Sequence, residues 1–316
     1  MIDLDVVIVN WNAGEQLLDC LQSLQTACND SFFELSNCII VDNASTDNSL
    51  EKLERLSLPL IFIRNSENRG FASASNQGAQ RADSKYILFL NPDIRLSPDG
   101  LSKSLYFMED PKNELTGIVG IKLLDNCNVQ RNTARFPSPK SLFYQMLGLD
   151  RLWPSRFPAH FMTNWDHKET REVDQVSGAF FLVRHQVFEE LRGFDERFFM
   201  YYEDLDFAYR AKQAGWKSYY FAEAQAYHKG GGTSNQVKAK RLFYILRSRA
   251  YYIAKHFGYM EAVKIIIFSF IIELWVRIIW SLVNLSGTAI LETLQAYLMF
   301  VREIPKLSRR IKNNSE

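Results

Sequence analysis

Glu203, Asp204 and Asp206 crowd three carboxylates into four positions of the segment FMYYEDLDFAYRAKQAGW, which begins at Phe199. A carboxylate within hydrogen-bond reach of a hydroxyl can take its proton, which is general-base chemistry. Acids at the start of a helix are also favoured by the helix dipole alone, and Leu205, Phe207 and Ala208 give the residues that follow an apolar face. A further carboxylate, Asp93, sits in KYILFLNPDIRLSP, where the apolar run Tyr86–Leu90 breaks off at Asn91-Pro92-Asp93. Asn, Pro and Asp are common turn residues, and a carboxylate fixed at a strand end can equally hold a cation. His228, one of five histidines, follows the strand-like SYYFAEAQAYH and precedes three glycines, so backbone crowding around it is minimal.

Positioning such groups is the work of a scaffold, and the first hundred residues spell one out. DVVIVNW (Asp5–Trp11) reads as a strand, and AGEQLLDCLQSLQTA as a helix with Leu17, Leu18, Leu21 and Leu24 on one face. NCIIVDNAS is a second strand, and NSLEKLERL a second helix with Asp47 or Asn48 as its N-cap. IFIRNSENRG gives a third strand and its turn, GFASASNQGAQRA a third helix, and KYILFL a fourth strand. Alternating strands and helices predict an α/β fold, a Rossmann-like, mostly parallel sheet flanked by helices. The strand ends then meet on one edge, at Asn10-Trp11-Asn12, Asp42-Asn43, Asn65 to Gly70 and Asn91-Pro92-Asp93.

A nucleotide fits the demands of that edge. Asp42 can accept the imide N–H of a pyrimidine base, and Trp11 can wall the ring. Arg69 can meet phosphate, with Gly70 allowing close backbone approach. Neither G-x-G-x-x-G after the first strand nor G-x-x-x-x-G-K-[ST] occurs, so the phosphates need another counter-charge, and Asp93 with a divalent cation supplies one.

The bulk numbers exclude several classes. With 316 residues, 47% apolar and 23% charged, the chain is folded rather than disordered. Its 37 Lys/Arg against 36 Asp/Glu give no global charge for nucleic acid. Cys20, Cys28, Cys38 and Cys127 fall in no metal-ligand spacing and read as reduced thiols. The N-terminus, MIDLDVVIVNW, carries acid where an export signal needs Lys or Arg, so a cytoplasmic chain is expected.

The blocks VIVNWN, IIVDNASTDNS, NRGFASASNQG, LFLNPDI, SGAFFLVR and GFDERFFMYYEDLDFAYRAKQAGW, in that order, resemble the inverting glycosyltransferases of family 2 with the GT-A fold, over roughly residues 3–258. N-P-D where the family usually has D-x-D, with the later "FDE-FFMY-ED-D", resembles bacterial rhamnosyltransferases of cell-surface polysaccharide assembly. The resemblance implies a donor site of Asn10, Trp11, Asn12, Asp42, Arg69, Gly70, Asn76, Asn91 and Asp93 for a dTDP- or UDP-sugar. It implies a divalent metal, Mg or Mn, on Asp93, with His228 completing the site where Asn91 replaces the first acid. It makes Asp204 the catalytic base, gives Asp206 a structural role, and puts Ser177, Gly178 and Glu203 on the acceptor side, Gly178 leaving room for a sugar. The implied acceptor is a lipid-linked glycan or a growing polysaccharide. Transfer of a different sugar, or a catalytically idle binding or membrane-scaffold protein, are the rival readings.

The expected domains are a catalytic one over 1–235 (a nucleotide-sugar half to 124, an acceptor half from 125) and a basic, apolar helical extension over 236–316. The glycines at 230–232 mark that boundary and suggest a lid over the donor. The aromatic, Pro- and Arg-rich residues 125–172 are expected to line the acceptor groove. KAKRLFYILRSRAYYIAKHFG reads as a helix whose Arg247, Arg249, Lys255 and His256 face water or anionic lipid. Val263–Leu285 is long enough to span a bilayer, but Glu273 and Arg277 would each cost roughly 2.5–3.5 kcal/mol at its centre. Ser269, Glu273, Arg277 and Ser281 make one narrow polar stripe, and AILETLQAYLMFV follows as a second apolar helix. Peripheral attachment to the inner face of the cell membrane is expected, with a homo-oligomer built from these helices as the rival.

Overall fold

The computed structural model of the chain describes residues 2–51, 53–125, 128–162, 165–228 and 238–312. Cys127, the 230–232 glycines with their expected lid, and the boundary at Thr233–Ser234 lie outside the described residues.

The chain forms two compact units. The first takes in Met1–Arg135, Thr163–Glu196 and Glu203–Thr233; the second Phe136–Met162, Arg197–Tyr202 and Ser234–Glu316. The helical extension is therefore joined by two earlier segments, a division finer than one cut near residue 235. The residues between 125 and 172 are shared between the two units.

In chain order the elements are β1 (Ile2–Asn10), α1 (Glu15–Ala27), β2 (Phe33–Asp42), β3 (Leu60–Arg64), α2 (Phe71–Ala79), β4 (Tyr86–Leu90), β5 (Ile94–Leu96) and α3 (Gly100–Glu109). Next come β6 (Thr116–Asp125), β7 (Asn128–Val129), β8 (Thr133–Ala134), α4 (Pro139–Met146), α5 (Leu149–Leu152), β9 (Arg171–Val173), β10 (Gln175–Val176), β11 (Phe180–Arg184) and α6 (His185–Glu190). The last are α7 (Glu203–Gln213), β12 (Lys217–His228), α8 (Lys238–Phe257), α9 (Tyr259–Phe268), a π-turn over Ser269–Glu273, α10 (Leu274–Val283) and α11 (Gly287–Lys312).

The main sheet of the first unit runs β3-β2-β1-β4-β11-β6-β12-β5, with β7 on β6 and β9 on β12. Strands β3, β2, β1 and β4 are parallel, as their alternation with helices dictates. At β11 the direction reverses, and β11 is antiparallel to both β4 and β6, so the sheet is mixed. All five residues of β4 are buried, since helices cover both faces of the sheet at its centre. Leu17, Leu21 and Leu24 of α1 pack into one core with Leu4, Val6, Ile8, Leu88 and Leu90.

One expected element does not form. NSLEKLERL holds only a 3-10 turn, Leu53–Arg55, in place of a helix. Asp47 is not a helix cap: its carboxylate accepts the backbone N–H of Gly14 at 2.8 Å and that of Ser49 at 3.2 Å. Short polar side chains that bond nearby backbone compete with helix in this way.

In the second unit α8, α9, α10 and α11 pack together, with α4 joining through Phe143, whose ring lies 4.8 Å from that of Phe268. Arg247 and Arg249 do not line a solvated or lipid-facing stripe. Arg249 is buried against Glu273 and Arg247 pairs with Glu303, because the acids of the neighbouring helices point inward. Among the described residues no helix is long and apolar enough to cross a membrane.

Candidate active site

Register sets the site. Asn10 pairs with Asp42 across β1 and β2, and Asp42 with Arg64 across β2 and β3, so three strand ends share one rung. Val7 pairs with Phe89, which carries the same rung to the level of Pro92. The expected convergence of strand ends is therefore present at residue resolution.

A polar web fastens this edge. Asn10 donates to Asp42 Oδ1 at 2.8 Å and to Ser49 Oγ at 2.8 Å. Asn12, at φ 52°, accepts the Thr46 N–H at 2.7 Å, and its own N–H donates to Ser45 at 3.0 Å. Asn43, named from the sequence only as part of a strand end, is the hub of the next turn. It accepts from Arg69 N–H at 3.0 Å and donates to Asn68 at 3.0 Å and to the Gly70 carbonyl at 3.2 Å. Gly70 has φ 84°, a conformation that suits glycine, and caps α2. The Arg69 side chain is exposed and makes no ion pair among the described residues, which leaves it available to an anion. Trp11 is half-buried at the same edge.

Asn76 is put to another use than donor binding. Its amide donates to the Phe194 carbonyl at 2.8 Å and accepts the Phe194 N–H at 2.9 Å, so α2 is clasped to the Gly193–Phe194 turn. Its remaining N–H goes to Glu196 at 3.0 Å, which leaves little capacity for a ligand.

Beyond the Asn91-Pro92-Asp93 turn the chain re-enters the sheet as β5, pairing antiparallel with β12 so that Ile94 lies opposite His228. His228 Nε2 thus comes within 3.5 Å of Asp93 Oδ2. Gln130 holds the ring from behind: its amide N–H donates to the His228 carbonyl at 2.8 Å, which turns its oxygen to His228 Nδ1 at 2.7 Å. Nδ1 then carries the proton in the neutral ring, and Nε2 faces Asp93 as a lone pair. Asp93 Oδ1 is buried with no partner among the described residues. Two acceptors facing one another beside an orphaned carboxylate oxygen fit a divalent cation. Among the described residues no group of three or more His, Cys, Asp or Glu side chains could hold one, so these two would share it with donor oxygens. Asn91 contributes backbone here: its carbonyl accepts from Ile94 N–H at 3.2 Å and from the Cys20 thiol at 3.6 Å.

Asp204 and Glu203 open α7, after two residues with left-handed backbone, Tyr201 (φ 66°) and Tyr202 (φ 71°). Strain of this kind is held where surrounding structure over-determines it. Asp204 Oδ2 accepts the Gly178 N–H at 2.9 Å and Oδ1 accepts the Leu205 N–H at 2.8 Å. Burial pushes the Asp204 carboxyl up, while those two amides and the Gln175 side chain pull it back. Burial, and then the Asp204 charge, push Glu203 well above the ordinary carboxylate range, and Glu203 Oε2 is buried with no partner among the described residues. The pair thus divides into an oriented acceptor and a carboxyl that tends to keep its proton. Asp206 is fully buried and accepts from Arg210 at 2.8 Å.

Gly178 serves the carboxylate directly. A Cβ there would lie 3.3 Å from Asp204 Oδ2, so the glycine lets the backbone approach the acid. Ser177 tightens the same turn, its Oγ accepting the Ala179 N–H at 3.3 Å. Gln130 and Gln175 were not singled out by sequence reasoning, and Asn43 was given no role. Gln130, directly after a two-residue strand, carries no local signal, and its partner His228 is 98 positions away.

The sequence model described as Glycosyl transferase family 2 matches residues 5–192. An N-acetylglucosaminyl-diphospho-decaprenol L-rhamnosyltransferase of Mycobacterium tuberculosis is 26% identical over 274 residues, covering 82% of this chain and 87% of that protein. Rhamnosyltransferase WbbL of Escherichia coli K12 is 28% identical over 175 residues, covering 55% of this chain and 63% of WbbL. The low-salt glycan biosynthesis hexosyltransferase Agl10 of Haloferax volcanii is 23% identical over 215 residues, 67% of this chain and 62% of Agl10. The matches therefore span less than two thirds of the length of Agl10 and of WbbL. Among solved structures, Staphylococcus aureus TarS superposes with a TM-score of 0.54 at 17% identity, over 84% of this chain and 42% of TarS. The mannosyltransferase PcManGT of Pyrobaculum calidifontis, solved with GDP-Man and Mn2+, superposes with a TM-score of 0.53 at 14% identity, over 94% and 86%. At these identities the likeness is one of fold, the GT-A arrangement.

Proposed function

The chain belongs to glycosyl transferase family 2, and from that premise we propose that it transfers L-rhamnose from dTDP-L-rhamnose, with inversion, to a lipid-linked glycan or growing surface polysaccharide. The observation that carries the chemistry is Asp204, a buried carboxylate oriented by Gly178 and Leu205 at a helix N-terminus. The acceptor hydroxyl attacks the anomeric carbon on the face opposite the leaving group, and Asp204 takes its proton as the new glycosidic bond forms. The bond from the anomeric carbon to the diphosphate oxygen breaks, and the nucleoside diphosphate leaves with the electron pair. No covalent enzyme intermediate is required.

Asn10, Trp11, Asn12 and Asp42 line the base end of the donor, with Arg69 and Gly70 toward its phosphates. Asp93 and His228 would hold a divalent cation, Mg or Mn, which when bound supplies charge against the diphosphate. Glu203, a carboxyl that keeps its proton, donates to an acceptor oxygen, beside Ser177 and Gly178. The rhamnose assignment draws on the two relatives named as rhamnosyltransferases. A lipid-borne acceptor would put the enzyme at the inner face of the cell membrane.

Release of nucleoside diphosphate from a panel of dTDP- and UDP-sugars, with Mg, Mn or EDTA, tests this reading. Metal-dependent release from dTDP-L-rhamnose above the other donors is the expected result. Preference for another sugar would overturn the donor, and undiminished turnover in EDTA would overturn the metal.

A further inference from the structure

In the second unit α10, with the π-turn before it, turns its polar stripe inward. Along the helical run from Ser269 to Val283 the polar positions turn inward: Ser269, Glu273 and Ser281 are buried, and Arg277 reaches back to Glu273 at 2.8 Å. Arg249 on α8 donates to Ser269 Oγ at 2.8 Å and Glu273 Oε2 at 2.5 Å, and Tyr297 on α11 donates to the Ser269 carbonyl at 2.9 Å. The opposite face is apolar and open. Ile271, Trp275, Ile279, Trp280 and Val283 are exposed, the two tryptophans at 58% and 59%. On α11, Leu291, Leu294, Leu298 and Val301 recur at helical spacing and are exposed as well.

A helix on a water-facing surface normally turns its apolar stripe to the core, and this arrangement reverses that rule. Contiguous exposed apolar surface marks a docking face. Its charge says what docks. Between Leu274 and Arg309 the exposed charged side chains are all basic, Arg302, Lys306 and Arg309, while Glu292 and Glu303 are paired with Lys238 and Arg247. Residues 234–316 carry 13 Lys/Arg against 5 Asp/Glu in a chain that balances 37 against 36. A second copy applied through the same face would oppose like charges, whereas anionic headgroups answer them. Tryptophan suits the depth where acyl chains meet headgroups. The Arg151 guanidinium lies 5.8 Å from the Trp280 ring centroid, and the exposed Leu152 and Trp153 beside it extend the face to α5.

We propose that α10, α11 and the α5 corner form a face that lies flat on anionic lipid headgroups with its apolar side chains in the upper acyl layer. This deepens the function proposed above by naming where the enzyme meets the lipid that bears its acceptor.

The full chain is sedimented with phosphatidylcholine vesicles and with phosphatidylcholine–phosphatidylglycerol vesicles. Wild type is compared with Trp275→Gln/Trp280→Gln and with Arg302→Gln/Lys306→Gln/Arg309→Gln. Mass in solution and nucleoside diphosphate release without vesicles are measured on the same samples. Wild type is expected to favour the anionic vesicles. The tryptophan pair should weaken partition at least about tenfold, and the basic triple roughly fivefold per charge on anionic vesicles only. Both variants should keep wild-type mass and release. Wild type left in the supernatant, binding unaltered by either variant, or a dimer that the tryptophan pair dissociates would overturn the proposal, the last in favour of a second copy. Absence of release in wild type with the predicted vesicle pattern would sink the enzymatic reading and leave the lipid face standing.

Discussion

Asn91 and Asp204 are fastened to consecutive residues of one strand lead-in. The Asn91 N–H donates to the Ala179 carbonyl at 2.9 Å, and Asp204 Oδ2 accepts the Gly178 N–H at 2.9 Å. The turn that carries Asp93 and the carboxylate proposed as the base, Asp204, are thus held in register through a single dipeptide. Gly178→Ala tests the tie. Its methyl would press on Asp204 at 3.3 Å, so the acid must shift. We expect kcat to fall by less than the roughly 100-fold of a 1 Å misplacement, with donor KM unchanged. A change in donor KM alone would contradict the coupling.

Gln130 is a positioning residue for His228. Gln130→Leu removes both hydrogen bonds and frees the imidazole tautomer. Calorimetric Mn2+ affinity in the presence of nucleotide should fall about 10- to 100-fold. Unchanged affinity would show that His228 is not a ligand.

With Asp204 as the proposed base, the acid limb of the rate profile is expected to follow its ionisation. Only the ionised carboxylate accepts a proton, and burial raises its pKa above the ordinary 3.8, so kcat should decline as pH falls through a midpoint above that value. Glu203→Gln reproduces a protonated Glu203 and should leave that limb in place and retain most of the activity. A limb that disappears in Glu203→Gln would assign it to Glu203 instead.

Glu273 anchors the second unit electrostatically. Burial alone would raise its carboxyl, but Arg249 and Arg277 beside it outweigh that and hold it below the ordinary 4.5. A depressed folded pKa contributes stability that is present above about pH 4.5 and lost as pH falls through the folded value. Glu273→Gln leaves Arg249 buried without its counter-charge and should cost about 3–5 kcal/mol at neutral pH. The variant should also lose part of the wild type's acid sensitivity in thermal unfolding. An unchanged acid profile would show that the pair is not the source.

Much of this was legible in the sequence, and the limits have physical causes. The four parallel strands and their converging ends followed from apolar periodicity, and Asp93 from its residue type at a strand end, whereas the roles expected of Asp204 and His228 came from the family resemblance. The helix expected over NSLEKLERL did not form because Asp47 and Ser49 are drawn into the web around Asn10 and Asn12, a tertiary demand that local propensity does not register. Asn76 was expected at the donor site from the family resemblance, and its tie to Phe194, 118 positions away, carries no local signal. The polar stripe Ser269-Glu273-Arg277-Ser281 was readable, but not its direction. That depended on Arg249, whose buried side chain drew the stripe inward and left the tryptophans outside.

The central claim is that Asp204 takes the acceptor's proton, and transfer of labelled rhamnose from dTDP-L-rhamnose to a lipid-linked acceptor by wild type and Asp204→Asn tests it most directly. The account predicts a loss of about 100- to 10,000-fold in transfer, with calorimetric affinity for the nucleotide preserved. Transfer by Asp204→Asn at the wild-type rate would contradict it.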